Sequence, residues 1–157
     1  MNEFDERVEF FISNLENILE FKSNEKGYLK SALVYVHEAV PTEMSIIFKK
    51  QDAIIASMED VSYLIMRLKD SRKNVNNEYK KVRDPAYTSL VLKGRPSDTA
   101  RDCEARTKVP ELLDLESKLE ILDYGIEYLM FVKDCLNKLY LDIRDRLALS
   151  KDIVKYG

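Results

Sequence analysis

The sequence predicts an all-α protein: a long antiparallel coiled-coil-like helical hairpin with shorter N-terminal helices, a helical bundle assembled as a homo-oligomer. Two observations carry that class. Only four Gly and four Pro occur in 157 residues, while Leu, Glu, Lys, Ile and Asp are abundant, the composition of long helices. Apolar residues also recur at three-, four- and seven-residue spacings through two extended segments.

The first segment places Phe4, Val8, Phe11, Leu15, Ile18 and Leu19 on one amphipathic stripe. Asn24 and Gly27 in "KSNEKG" read as stop signals, so a second short helix is expected from Tyr28 to Val40, ended by Pro41. These helices make up residues 1–40 of a single domain spanning 1–157.

Residues 42–83 read as one long helix. Ile47, Ile54, Val61, Leu68, Val75 and Val82 each lie seven residues from the last, and the positions four later are Gln51, Met58, Ile65, Arg72, Tyr79 and Ala86. A seven-residue apolar repeat keeps one seam facing a partner helix, whereas an isolated straight helix would drift from it by about 20° per heptad. The expected partner is the helix over 109–155, opening at Val109-Pro110-Glu111, where proline suits a first helical position. Its seam runs Leu112, Leu115, Leu119, Leu122, Ile126, Leu129, Val132, Leu136, Leu139, Ile143 and Leu147. The spacing stutters at Leu129, and the nearby Gly125 weakens a helix by about 1 kcal/mol relative to alanine.

Two such rods would expose Tyr63, Leu64, Tyr124, Tyr128, Phe131 and Tyr140 beside the seam. Large exposed apolar surfaces mark interfaces. Self-association is therefore expected, with Leu122, Ile126, Leu129, Leu136, Leu139 and Ile143 as the oligomerisation residues. The competing arrangement is a monomeric four-helix bundle closed by the first two helices.

Between the rods, residues 84–108 form a connector. Asp84-Pro85 reads as a helix boundary, since the residue before proline avoids helical geometry. A short helix to Lys93 and a Gly94-Arg95-Pro96 turn follow, then a further helix capped by Ser97 or Asp98. Charge concentrates here. Residues 1–65 hold 6 basic and 12 acidic side chains, residues 66–108 hold 12 and 6, and residues 109–157 hold 7 and 10. Within 80–108, eight basic side chains face four acidic ones, with Tyr79 and Tyr87 interleaved. Local positive potential with aromatic platforms is the footprint of single-stranded nucleic acid binding. The candidate contacts are Lys80, Lys81, Arg83, Tyr87, Lys93 and Arg95. The plainer reading of each charge is a solvated helix face, or a favourable interaction with a helix C-terminus.

Other chemistry is poorly represented. His37 is the only histidine and has no nucleophile beside it in sequence, and no phosphate-cradling, metalloprotease or serine-hydrolase motif occurs. Neither an enzyme nor a cofactor or metal is expected. Cys103 and Cys135 suggest neither a disulfide framework nor a zinc site. The acidic start lacks a secretion signal, and no apolar run approaches the ~20 residues of a membrane span, so a cytoplasmic protein without a membrane partner is expected.

Lys81-Val82-Arg83 at the end of a long helix, followed by Tyr87, Gly94 and an apolar C-terminal helix, resembles the UvsY-type recombination mediators of T4-like phages. The resemblance covers residues 42 to 150 and departs from the family at Pro85, in a longer segment before Gly94, and in the N-terminal forty residues. It implies a non-catalytic, self-associating helical protein of the host cytoplasm. Such a protein loads a RecA-class recombinase onto single-stranded DNA coated by a single-strand-binding protein. For this chain it implies DNA contact by Lys81 and Arg83. The alternative from the residues alone is a coiled-coil scaffold or small inhibitor whose acidic N-terminal third binds protein and which ignores nucleic acid.

Overall fold

The computed structural model describes residues 3–38, 44–92, 94 and 97–156. Its elements are α1 (Glu3–Leu15), α2 (Ser23–His37), α3 (Met44–Leu92), α4 (Asp98–Lys108) and α5 (Glu111–Tyr156), and no strand occurs among the described residues. At 1.5 Å per residue α3 is about 73 Å long and α5 about 69 Å.

The two long helices pack antiparallel. Tyr79 on α3 donates its hydroxyl proton to Glu116 on α5 at 3.0 Å, and one heptad back on α3 Arg72 reaches Asp123, one heptad forward on α5. The apolar repeat explains the register. Ile47, Ile54, Val61, Leu68 and Val75 are all buried, as are Leu115, Leu122, Ile126, Leu129, Val132, Leu136, Ile143 and Leu147 opposite them. Each fully buried Leu or Ile contributes about 1.5 to 3 kcal/mol relative to exposure.

The shorter helices cover this pair. Val8, Ile12 and Leu15 give α1 its buried stripe, and Phe11 packs on Tyr128 with ring centres 5.0 Å apart. Leu15 sits on Gly125: a Cβ added to that glycine would lie 3.4 Å from a Leu15 methyl and 3.2 Å from one of Leu68. The glycine that weakens α5 as a helix is the place where α1 and α3 approach it. Helix α2 buries Leu29, Ala32 and Leu33. It also buries Glu25, whose carboxylate pairs with Arg67 of α3, and Arg67 holds the Glu20 carbonyl at 3.1 Å as well.

Three boundaries differ from expectation. "KSNEKG" does not end a helix; Ser23 begins one, with Gly27 inside it, because Glu25 and Leu29 must share a face to reach α3. The C-terminal end of α2 is His37 instead of Val40, and residues 39–43, Pro41 included, lie outside the described ones. Asp84-Pro85 does not end α3, which runs through Pro85 to Leu92. Pro85 is exposed, and at an exposed position water can solvate the carbonyl that proline leaves without a donor.

The residues expected to join copies are spent inside one chain. Leu122, Ile126, Leu129, Leu136 and Ile143 are buried in its core, and Leu139 packs against that core half-buried. Helices α1 and α2 lie over the α3/α5 pair, so these side chains are covered without a second copy.

Candidate nucleic-acid interface

The basic stretch is built around α4. Ser97 caps it, accepting the Ala100 amide proton at 3.1 Å, and Gly94 in the preceding turn takes φ of 74°, a left-handed conformation that suits glycine. Ala105 buries against Leu90 of α3 and Leu112 of α5, with Tyr79, Val82, Ala86 and Val109 around them. This small cluster seats α4 across the end of the long pair.

Two ion pairs then tie α4 to its neighbours and two more lie within it, engaging four of the eight cations counted over 80–108, Arg83 of the candidate contacts among them. Arg83 pairs with Asp102 at 3.2 Å, Arg101 with Asp98 at 3.1 Å, Arg106 with Glu116 at 3.0 Å and Lys108 with Glu104 at 3.1 Å. Surface pairs of this kind contribute little energy singly, but each cancels a positive charge locally. Tyr87 is occupied as well. The Arg83 and Arg101 guanidiniums lie over its ring at 4.4 and 5.1 Å, and its hydroxyl donates to Asp98 at 2.6 Å.

The ionisable groups register this network. The hydrogen bond to Asp98 is the main cause that holds the Tyr87 phenol above its usual range. Burial, followed by the hydrogen bond to Glu116, raises that of Tyr79. For Arg83, burial pulls downward, and the Asp102 carboxylate outweighs it to leave the guanidinium more firmly protonated.

What remains is a smaller set. Lys80 and Lys81 are exposed and have no ion-pair partner among the described residues. Lys93 and Arg95 lie outside the described residues. Two lysines that charge counting over 80–108 missed join Lys80: Lys69 and Lys73 are exposed and likewise unpaired among the described residues. On one α-helix the spacing of Lys69, Lys73 and Lys80 places them within about 40° of a common face and along about 16 Å of its length. That spacing was the signal in the sequence. Exposed Asp84 lies about 20° beyond Lys73 around the helix, and Asn77, Asp70 and Lys81 lie about 40 to 80° beyond it.

No group of three or more His, Cys, Asp and Glu side chains able to hold a metal occurs among the described residues, and none of their helices is long and apolar enough to cross a membrane. Comparison of the chain with protein-family models, curated proteins and solved structures gives no match.

Proposed function

We propose that the chain is a non-catalytic single-stranded DNA-binding protein of the recombination-mediator kind, which contacts phosphates through the lysine face of α3. The observation that carries this reading is the row Lys69, Lys73, Lys80, with Lys81 further round the helix, all exposed and without an ion pair among the described residues. A row of uncommitted ammonium groups gains by exchanging hydration and loose counterions for backbone phosphates, and carries no sequence preference. The resemblance to UvsY-type mediators supports the same reading and extends it to a RecA-class recombinase and a single-strand-binding protein as partners.

Self-association belongs to this proposal too, because copies around an axis would multiply a modest charge. With the apolar seam buried, the surface offered for it is the α3/α5 face bearing Ile55, Met58 and Tyr140, which line a cleft of about 590 Å³, with Phe48 and Met66 exposed further along α3. The supercoiled packing of α3 on α5 follows from the heptads and makes the pair a stiff support for that row.

The test is anisotropy of a fluorescent oligonucleotide across a salt series. Binding is expected at low salt, with log affinity falling by about 0.7 per phosphate contact for each decade of salt. The quadruple variant Lys69→Ala, Lys73→Ala, Lys80→Ala, Lys81→Ala should lose both affinity and slope. No binding at low salt, or binding indifferent to the four substitutions, overturns the reading. A protein-only scaffold or inhibitor is then the better account, favoured by the ion pairs that neutralise the α4 region.

A further inference from the structure

On the opposite side of the functional question lies the groove between α1 and α5. Phe10 is 72% exposed and Tyr124 and Phe131 are each 64% exposed, large aromatic side chains that a finished surface would cover. The groove has depth. Phe11, Asn14 and Tyr128 are shared by two adjoining cavities, of about 240 Å³ beside Gly125 and about 660 Å³ beside Phe10.

The pattern on α5 shows what shape would fill it. Leu122, Leu129 and Leu136 form a buried row at seven-residue spacing. Tyr124 and Phe131 repeat that spacing on the exposed side, and Glu120, Glu127 and Asp134 form a third row beside them, all exposed. Heptad spacing is what a helix presents to another helix, apolar knobs bordered by charge. Helix α5 thus carries one such set toward α3 and a second outward.

Charge states which helix. The α1 wall adds exposed Glu3 and Glu6, which line the larger cavity. Arg7, the cation lining the groove, is held by Glu3 at 2.6 Å. An apolar channel walled by carboxylates repels nucleic acid and anionic membranes alike, and complements an apolar stripe flanked by Lys and Arg. We propose that the α1/α5 groove is a docking site for a basic amphipathic helix of a partner protein. The site is independent of the lysine face of α3 and stands whether or not that face binds DNA.

The experiment titrates the full chain into a fluorescein-labelled peptide of about 18 residues, with leucine at helical spacing and lysine elsewhere, followed by anisotropy. A peptide with glutamate in place of lysine is the control. The lysine peptide is expected to bind, the glutamate peptide not. Affinity for the lysine peptide should fall at least about tenfold in Phe10→Ser, Tyr124→Ser, Phe131→Ser, and comparably in Glu120→Lys, Glu127→Lys. The charge variant leaves the apolar packing intact and carries the test if the serine variant fails to fold by circular dichroism. Lys80→Ala with Lys81→Ala should leave peptide affinity unchanged, which separates this site from the proposed DNA contact. Equal binding of both peptides, or affinity unmoved by the charge variant, overturns the proposal. So does self-assembly in sedimentation velocity that the serine or charge variant abolishes, which would give the groove to a second copy of the chain.

Discussion

The guanidinium of Arg83 lies 4.4 Å from the centre of the Tyr87 ring, so two residues expected to meet single-stranded DNA meet each other. Their contact, with the Asp102 pair beside it, fastens α4 to α3. Arg83→Ala should therefore lower stability by about 1 kcal/mol or less, since the side chain is partly solvated. Its effect on oligonucleotide affinity should be smaller than that of Lys80→Ala with Lys81→Ala, which should weaken binding about fivefold or more at low salt without changing the urea midpoint. Parallel urea curves and anisotropy titrations measure both.

The attachment of α4 should loosen in alkali. Tyr79 is raised by burial and by its bond to Glu116, and Tyr87 by its bond to Asp98, so the fold favours both neutral phenols. Stability from a raised group is complete below its unfolded value, near pH 10 for tyrosine, and is lost as pH climbs through the folded value. Tyr79→Phe with Tyr87→Phe should remove the added pH dependence above about pH 10. Denaturation midpoints across that range, with tyrosinate absorbance as the titration signal, check the sign.

Gly125 separates helix propensity from packing. Alanine there gains up to about 1 kcal/mol in helix formation but pushes on methyl groups of Leu68 and Leu15, so Gly125→Ala should shift stability by less than about 1 kcal/mol. Gly125→Leu cannot be accommodated by those methyls. It should cost about 2 kcal/mol or more and loosen α1, read as faster amide exchange at Val8 to Leu15.

Pro85→Ala restores a backbone donor inside α3 and should stabilise the protein. The helical gain of about 3 kcal/mol is partly offset by the freer unfolded chain, leaving about 2 kcal/mol. A lower urea midpoint in this variant would overturn that expectation.

Arg67→Met should be among the most damaging single changes outside the apolar core. It strands the buried Glu25 carboxylate, one of whose oxygens already lacks a partner. The expected loss is about 3 kcal/mol, at the low end for a broken buried pair because Arg67 is partly exposed. Arg67→Met with Glu25→Leu should recover most of it, measured as a double-mutant cycle.

The sequence made the long helices legible because the repeats Ile47 to Val75 and Leu115 to Leu147 are local, periodic and almost wholly apolar. It did not reveal that Ser23 opens α2, because the residue that decides it, Glu25, answers to Arg67, 42 positions away. The reading of Pro85 as a stop failed for a related reason: a proline costs a helix something, and tertiary anchoring of Leu90 on the far side outweighs it. The basic stretch was located correctly as a charge surplus, but a surplus does not say which cations are already engaged. Glu116, which lies outside 80–108, engages Arg106. Lys69 and Lys73 belong to the surplus over 66–108, but only their helical spacing to Lys80 sets them on one face.

The antiparallel register of α3 and α5 also sets an order of assembly. Tyr79 and Glu116 are separated by 37 positions and Arg72 and Asp123 by 51, and the gap widens with every turn away from α4. Closing a loop costs more entropy the longer it is, so the pairs beside α4 form most readily and shorten the search for the next. The chain thus closes like a zip from its bend. Substitutions at Leu90, Ala105 or Leu112 should slow folding, whereas those at Ile47 or Leu147 should chiefly hasten unfolding.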